Sequence, residues 1–144
     1  MRTPTSSTPD AIARSGTALL LIAHGSRQEM ANADLHHLVD QLNERAAYCC
    51  VVASFLELAE PSILKGGARC VERGAERVIL LPYFLSAGVH VQRDLTKACQ
   101  DLRDLYPKVH FCPAEPLGRH PLLVEVVLDR ARAAENPDSV SSPG

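Results

Sequence analysis

Between residues 17 and 135 the chain repeats one alternation: a short run of almost unbroken apolar residues, then a longer stretch whose apolar positions recur every three or four residues. The first kind of run reads as a parallel strand covered by helices on both faces, the second as the buried stripe of an amphipathic helix. "TALLLIAHG" opens the series, and a helix over 28–47 follows, with Leu35, Leu38, Val39 and Leu42 on one side. "CCVVASFLE" is the second strand. Pro61, a residue suited to a helix's first turn, then introduces a helix that runs to Arg73 and stops at Gly74. "RVILLPY" is the third strand, and the loop "FLSAGVH" leads to a helix over 91–105. "KVHFCPA" makes the fourth strand, and a last helix over 120–134 carries Leu123, Val124, Val127 and Leu128 at helical spacing. Right-handed crossovers then predict an α/β fold: an open, doubly wound, mainly parallel four-stranded sheet with helices on both faces.

The flanks at 1–16 and 136–144 are rich in Pro, Ser and Thr and poor in large apolar side chains. They cannot offset the entropy of ordering and are expected to be disordered tails around one domain at 17–135. A length of 144 residues with 46% apolar and 22% charged residues fits a single soluble globular domain. A net charge of −2 leaves no general basic surface for a nucleic acid, so any positive patch has to be local. No apolar run approaches the roughly 20 residues that span a bilayer, so no membrane partner is expected. The N-terminus lacks the apolar centre of a secretory signal, and its Ser, Thr and Arg content resembles a transit peptide only weakly, so the cytoplasm is the expected compartment. Cys49, Cys50, Cys70, Cys99 and Cys112 are odd in number and show no CxxC spacing. They read as small core residues, with the adjacent Cys49 and Cys50 the pair to watch for oxidation or soft-metal capture.

Ligands of open parallel sheets bind outside the carboxyl ends of the strands. That rule brings His24, Glu57, the loop up to His90, and "PAEPLGRHP" to one rim. Two neutral imidazoles and a carboxylate suit a borderline divalent ion, and fewer than four protein ligands leave coordination positions open for transit or catalysis. Gly25 and Ser26 allow a tight turn and a helix cap beside His24, and Arg27, Arg93 and Arg119 lie near the same rim in sequence. His36 and His37 on a helix, and His110 at a strand start, read as structural or solvated, with His120 intermediate. A phosphohistidine enzyme built on "HGSR" is disfavoured, because Ala23 stands where the common phosphatase pattern has an arginine.

Taken together, "LLLIAHGSR", "SFLELAEPSI", "VILLPYFLSAGVHVQRDL" and "PLGRHPLL" resemble, in order and spacing, the segments of the small CbiX/SirB-type class II chelatases that act on sirohydrochlorin. The resemblance covers 18–134 and implies one lobe of the class II chelatase fold. It implies that His24 and His90 are the two active-site histidines, binding the incoming metal and taking protons from the macrocycle, with Glu57 as the associated acid. It implies Co²⁺ insertion towards cobalamin or Fe²⁺ insertion towards sirohaem, with no cofactor beyond the divalent metal substrate. Ser26, Arg27, Arg93 and Arg119 are the candidates for holding substrate carboxylates. Because longer members close two lobes around the macrocycle, a chain of this length implies a homodimer with a shared cleft. A nickel chelatase acting on a related tetrapyrrole and a non-catalytic metal or tetrapyrrole carrier stay open beside this reading.

Overall fold

The computed structural model describes residues 16–136, in which strands and helices alternate. The elements are β1 (Thr17–Ala23), α1 (Glu29–Glu44), β2 (Cys50–Phe55), α2 (Ile63–Glu72), β3 (Arg77–Pro82), α3 (Val89–Leu105), β4 (His110–Pro113) and α4 (Leu122–Glu135). All pairings are parallel and the strand order is β2-β1-β3-β4, the doubly wound α/β sheet that the sequence pattern predicts. The expected tails lie, except for Gly16 and Asn136, outside the described residues.

β1 owes its unbroken apolar run to its central position. Leu19 pairs with Val51 on one side and Ile79 on the other, and Leu20 with Val52 and Leu80. Alternate residues therefore feed two cores. On one face Leu19, Leu21, Val51, Ala53 and Phe55 pack under Leu35 and Val39 of α1. On the other, Leu20, Ile22, Val78, Leu80 and Phe111 pack under α2 and α3 through Ile63, Cys70, Cys99 and Leu102. The approach of α2 is close enough that a Cβ on Gly66 would meet Leu20 Cδ1 at 2.8 Å and Ser54 Cβ at 3.0 Å.

Several boundaries differ from the sequence expectation, each for a local reason. α1 stops at Glu44, short of 47, where the chain turns through Ala46 at φ 52°. Pro61 precedes the second helix instead of starting it: Ser62 is the N-cap, its Oγ accepting from Lys65 N at 3.2 Å, while the Pro61 carbonyl accepts from Phe55 N at 2.9 Å. β2 ends at Phe55, which leaves Glu57 in the bend beyond the strand and not at its end. α3 begins at Val89, so His90 lies in a helical first turn and not in the preceding loop. α4 begins at Leu122, whose N–H donates to His120 Nδ1 at 3.1 Å.

Cys50, Cys70 and Cys99 are buried as expected, Cys112 is half-buried and Cys49 is exposed. Cys49 sits just ahead of the strand, where its N–H reaches Thr17 O at 2.9 Å without its side chain entering the core. Burial, followed by the neighbouring Cys50, pushes the Cys70 thiol up to about 12. The same causes raise Cys49. Thiols held protonated are poor metal ligands, which weakens soft-metal capture at this cluster.

The last helix is the largest departure. α4 forms where the spacing puts it, yet none of its residues is buried, and Val124, Val127 and Leu128 are 59%, 65% and 40% exposed. No helix among the described residues is long and apolar enough to cross a membrane.

Candidate active site

The rim at the carboxyl ends of the strands is tied together by backbone hydrogen bonds between neighbouring loops. Leu56 N donates to Ala23 O at 2.9 Å and Glu57 N to His24 O at 3.1 Å, joining the loops after β2 and β1. Tyr83 N donates to Ile22 O at 2.6 Å. Leu117 N reaches Phe84 O at 3.0 Å and Gly118 N reaches Leu85 O at 2.8 Å, so the loop after β4 is pinned to the loop after β3. Residues far apart in sequence thus share one connected edge.

His24 is the first residue past β1 and is exposed. Its ring lies against Phe84, with centroids 4.6 Å apart and planes at 31°, so the loop after β3 orients the imidazole that the loop after β1 supplies. Gly25 follows at φ 95°, and a Cβ there would overlap the Glu57 carbonyl oxygen. Only glycine combines that conformation with that approach. The His-Gly pair is therefore the condition for the β1 and β2 loops to meet.

Ser26 is not the helix cap that the sequence suggests. Gln28 is the N-cap, and Ser26 Oγ accepts from Gln28 N at 3.0 Å in a local turn. Ser26 is held instead by Asn32, which accepts from Ser26 N at 3.0 Å through Oδ1 and donates to Ser26 O at 2.7 Å through Nδ2. Asn32 is a positioning residue that the sequence reading passed over, because an Asn inside a helical pattern resembles any solvated position. Glu29 in the first turn of α1 opposes an anion at that helix N-terminus.

Glu57 and His90 are both exposed on the same rim, Glu57 fixed through its backbone to His24 and His90 one residue into α3. Arg93, three residues on, shares the His90 side of that helix and is exposed, as is Arg27 beyond Ser26. Arg119 is exposed and stands at φ 67°, immediately after the Gly118 that abuts the Leu85 carbonyl. Among the described residues no group of three or more His, Cys, Asp and Glu side chains is close enough to hold a metal ion. His24, Glu57 and His90 share an edge without closing around one point in the single chain.

Apolar side chains that carry no periodic signal stand on this edge as well. Met30, Leu58, Leu85 and Val89 are 86%, 52%, 62% and 63% exposed. A cavity of ≈ 350 Å³ opens nearby, between α3 and the β3–β4 ends, lined by Ile22, Leu80, Gln92, Cys99, Arg103 and Glu115 among others. Neither histidine lines it. Among the described residues the rim is thus an exposed edge, partly polar and partly apolar.

Residues 18–134 match the CbiX family model. The chain belongs to the CbiX family. Relatives of the chain differ in length. The chain is 36% identical over 112 residues to the chloroplastic sirohydrochlorin ferrochelatase of Arabidopsis thaliana, covering 78% of this chain and 50% of the relative. It is 28% identical over 137 residues to the sirohydrochlorin cobaltochelatase of Methanopyrus kandleri, covering 81% of this chain and 96% of that one. The chain thus spans about half the length of the Arabidopsis relative and nearly all of the archaeal one. Among solved structures, the sirohydrochlorin chelatase SirB of Bacillus subtilis subspecies spizizenii in complex with cobalt superposes with a TM-score of 0.75 at 27% identity, over 81% of this chain and 50% of SirB. A putative cobalamin biosynthesis CbiX protein from Marinobacter aquaeolei VT8 gives 0.73 at 26% identity, over 84% of this chain and 98% of its own.

Proposed function

We propose that this CbiX-family chain is a sirohydrochlorin chelatase that inserts a divalent metal, Co²⁺ or Fe²⁺, into the macrocycle. The observation that carries the reading is the rim itself: His24, ring-packed on Phe84 and tied through its backbone to the Glu57 loop, shares an open edge with His90 at the start of α3. Relatives named sirohydrochlorin cobaltochelatase and ferrochelatase support the substrate, and the cobalt complex of SirB supports the metal class.

The chemistry asks for what the rim offers. Insertion releases two pyrrole N–H protons for each M²⁺ that enters, and the aqua ion has to shed water. Imidazoles that are neutral near pH 7 serve as exchangeable ligands and as proton acceptors. Glu57 is placed by its backbone hydrogen bond to His24 and orients an imidazole or relays a proton outward. Arg27, Arg93 and Arg119 pair with the substrate's carboxylates, while Leu58, Leu85 and Val89 offer apolar contact to the macrocycle face. The ion enters as substrate and leaves in the product, so no resident cofactor is part of this reading. A flat macrocycle needs a second wall, which a homodimer supplies; the cytoplasm is the compartment we assign to the reaction.

The test is anaerobic titration of sirohydrochlorin with Co²⁺, Fe²⁺ or Ni²⁺, following the absorbance with substoichiometric protein and a protein-free control. Multiple turnovers with one or more metals are expected. Uncatalysed rates with every metal, while metal or macrocycle binds at one equivalent, would replace the enzyme by a carrier.

A further inference from the structure

Among the described residues three that are not glycine have a positive φ: Ala46 at 52°, Leu58 at 65° and Arg119 at 67°. A side chain in that left-handed region crowds its own backbone, so glycine or asparagine is the usual occupant. Ala46 has an ordinary reason to be there. It follows the C-cap Arg45 and ends α1, with its N–H on Asn43 O at 3.0 Å. Neither Leu58 nor Arg119 ends a helix.

Leu58 lies midway along the loop that leaves β2. Leu56 N on Ala23 O and Glu57 N on His24 O pin the first half of that loop, and Phe55 N on Pro61 O closes it. The chain reverses within those ties and Leu58 takes the left-handed step, yet its side chain is 52% exposed. Arg119 stands in the turn that His120 N closes on Leu117 O at 3.3 Å, at the third position, where a positive φ calls for Gly or Asn. The glycine sits one residue earlier, at 118, where it makes room for the Leu85 carbonyl. Arg119 is exposed, and among the described residues it pairs with no carboxylate.

The strand order β2-β1-β3-β4 makes the Leu58 and Arg119 loops the outermost two of the rim, with His24 after β1 and the loop to His90 after β3 between them. Backbone strain is thus kept at both ends of one edge, under side chains that the fold leaves largely in water. Strain retained in that way marks residues aimed at a ligand. We propose that Leu58 and Arg119 set the pose of the macrocycle on the rim. Leu58 lies against the apolar face of the ring beside Glu57, Arg119 pairs with a peripheral carboxylate at the other end, and together they bring the pyrrole nitrogens over His24 and His90. Resting on the chelatase reading, the pair makes the site specific for a ring that is at once flat and carboxylated.

Binding is read by absorbance titration with metal-free sirohydrochlorin, so no turnover is needed. Asparagine accepts the left-handed region, so Leu58→Asn and Arg119→Asn remove the side chain's chemistry while relieving the backbone. Neither should lower the urea midpoint, and each should weaken macrocycle binding at least about tenfold. Arg119→Asn should also flatten the salt dependence of binding, which Leu58→Asn should keep. Leu58→Met, which restores the apolar contact, should bind within about threefold of wild type. Ala46→Asn gives the same backbone relief at the opposite edge of the sheet and should leave binding unchanged. Wild-type affinity in either asparagine variant at the rim, or a urea midpoint below that of the wild type, would overturn the pair and leave the chelatase reading standing. A wild-type protein that binds no macrocycle would overturn both.

Discussion

Gly25 offers the sharpest test of how the rim is built, because its substitution separates two costs. At φ 95° an alanine is strained whatever surrounds it, and its Cβ would also overlap the Glu57 carbonyl oxygen while lying 3.2 Å from Phe55 Cβ. Gly74 is the internal control: its φ is 91° and a Cβ there meets nothing within 4 Å. Gly74→Ala should therefore show the backbone cost alone, ~1–2 kcal/mol. Gly25→Ala has to displace a peptide as well, and a total of ~2–4 kcal/mol is expected. Urea denaturation of both variants gives the difference. The displaced carbonyl belongs to Glu57, whose own N–H holds the His24 carbonyl at 3.1 Å, so the two loops part where the imidazole and the carboxylate need to cooperate. A shift of about 1 Å in such a site lowers turnover on the order of 100-fold, whereas Gly74→Ala should leave insertion unchanged. Equal stability losses in the two variants, together with wild-type insertion by Gly25→Ala, would refute the argument that this contact sets the rim.

His24→Ala and His90→Ala should each reduce metal insertion by at least about 100-fold while circular dichroism stays native, since both side chains are exposed; unchanged rates would remove the histidines from the mechanism. Asn32→Ala removes both hydrogen bonds that hold Ser26, and should cost ~1–2 kcal/mol in urea and weaken macrocycle binding more than it changes the maximal rate. The Cys70 thiol is raised from 9.0 to about 12 in the fold by burial. Above pH 9 the unfolded chain therefore loses a proton that the folded chain keeps, and stability falls as pH rises through that window. Urea midpoints on either side of pH 9 should show the decline, and Cys70→Ala, less stable by ~1–2 kcal/mol at neutral pH, should show a smaller one, because burial raises Cys49 and Cys99 as well.

Element type and order were legible because the strands and helices here differ in period and length. Within "TALLLIAHG" the run from Ala18 to Ala23 is apolar without a break, as a central parallel strand covered on both faces requires, and β1 does lie between β2 and β3. Boundaries were less legible where two local signals compete. Pro61 is acceptable in a helix's first turn, but Ser62 offers a capping hydroxyl one residue later, and the cap decided. His90 was on the rim in either case, although it belongs to α3 and not to the loop.

The site shows the same division. Histidine positions follow from local order, since a residue after a strand must lie at the sheet's carboxyl edge. Contacts across the edge do not follow from local order. That Phe84 backs the His24 ring, that Gly25 is required by the Glu57 carbonyl, and that Asn32 clamps Ser26 depend on how close separate loops come. No periodicity encodes such distances.

The chain's sequence by itself determined the alternation of strands and helices, the central place of β1 and the gathering of His24, Glu57 and His90 on one edge, because hydrophobic period and chain order are local properties. Only the tertiary structure decided where the last apolar stripe would go. Its spacing calls for burial, but spacing names no partner, and in the fold no residue of α4 is buried. Burial is a relation between surfaces, and a sequence states one surface at a time.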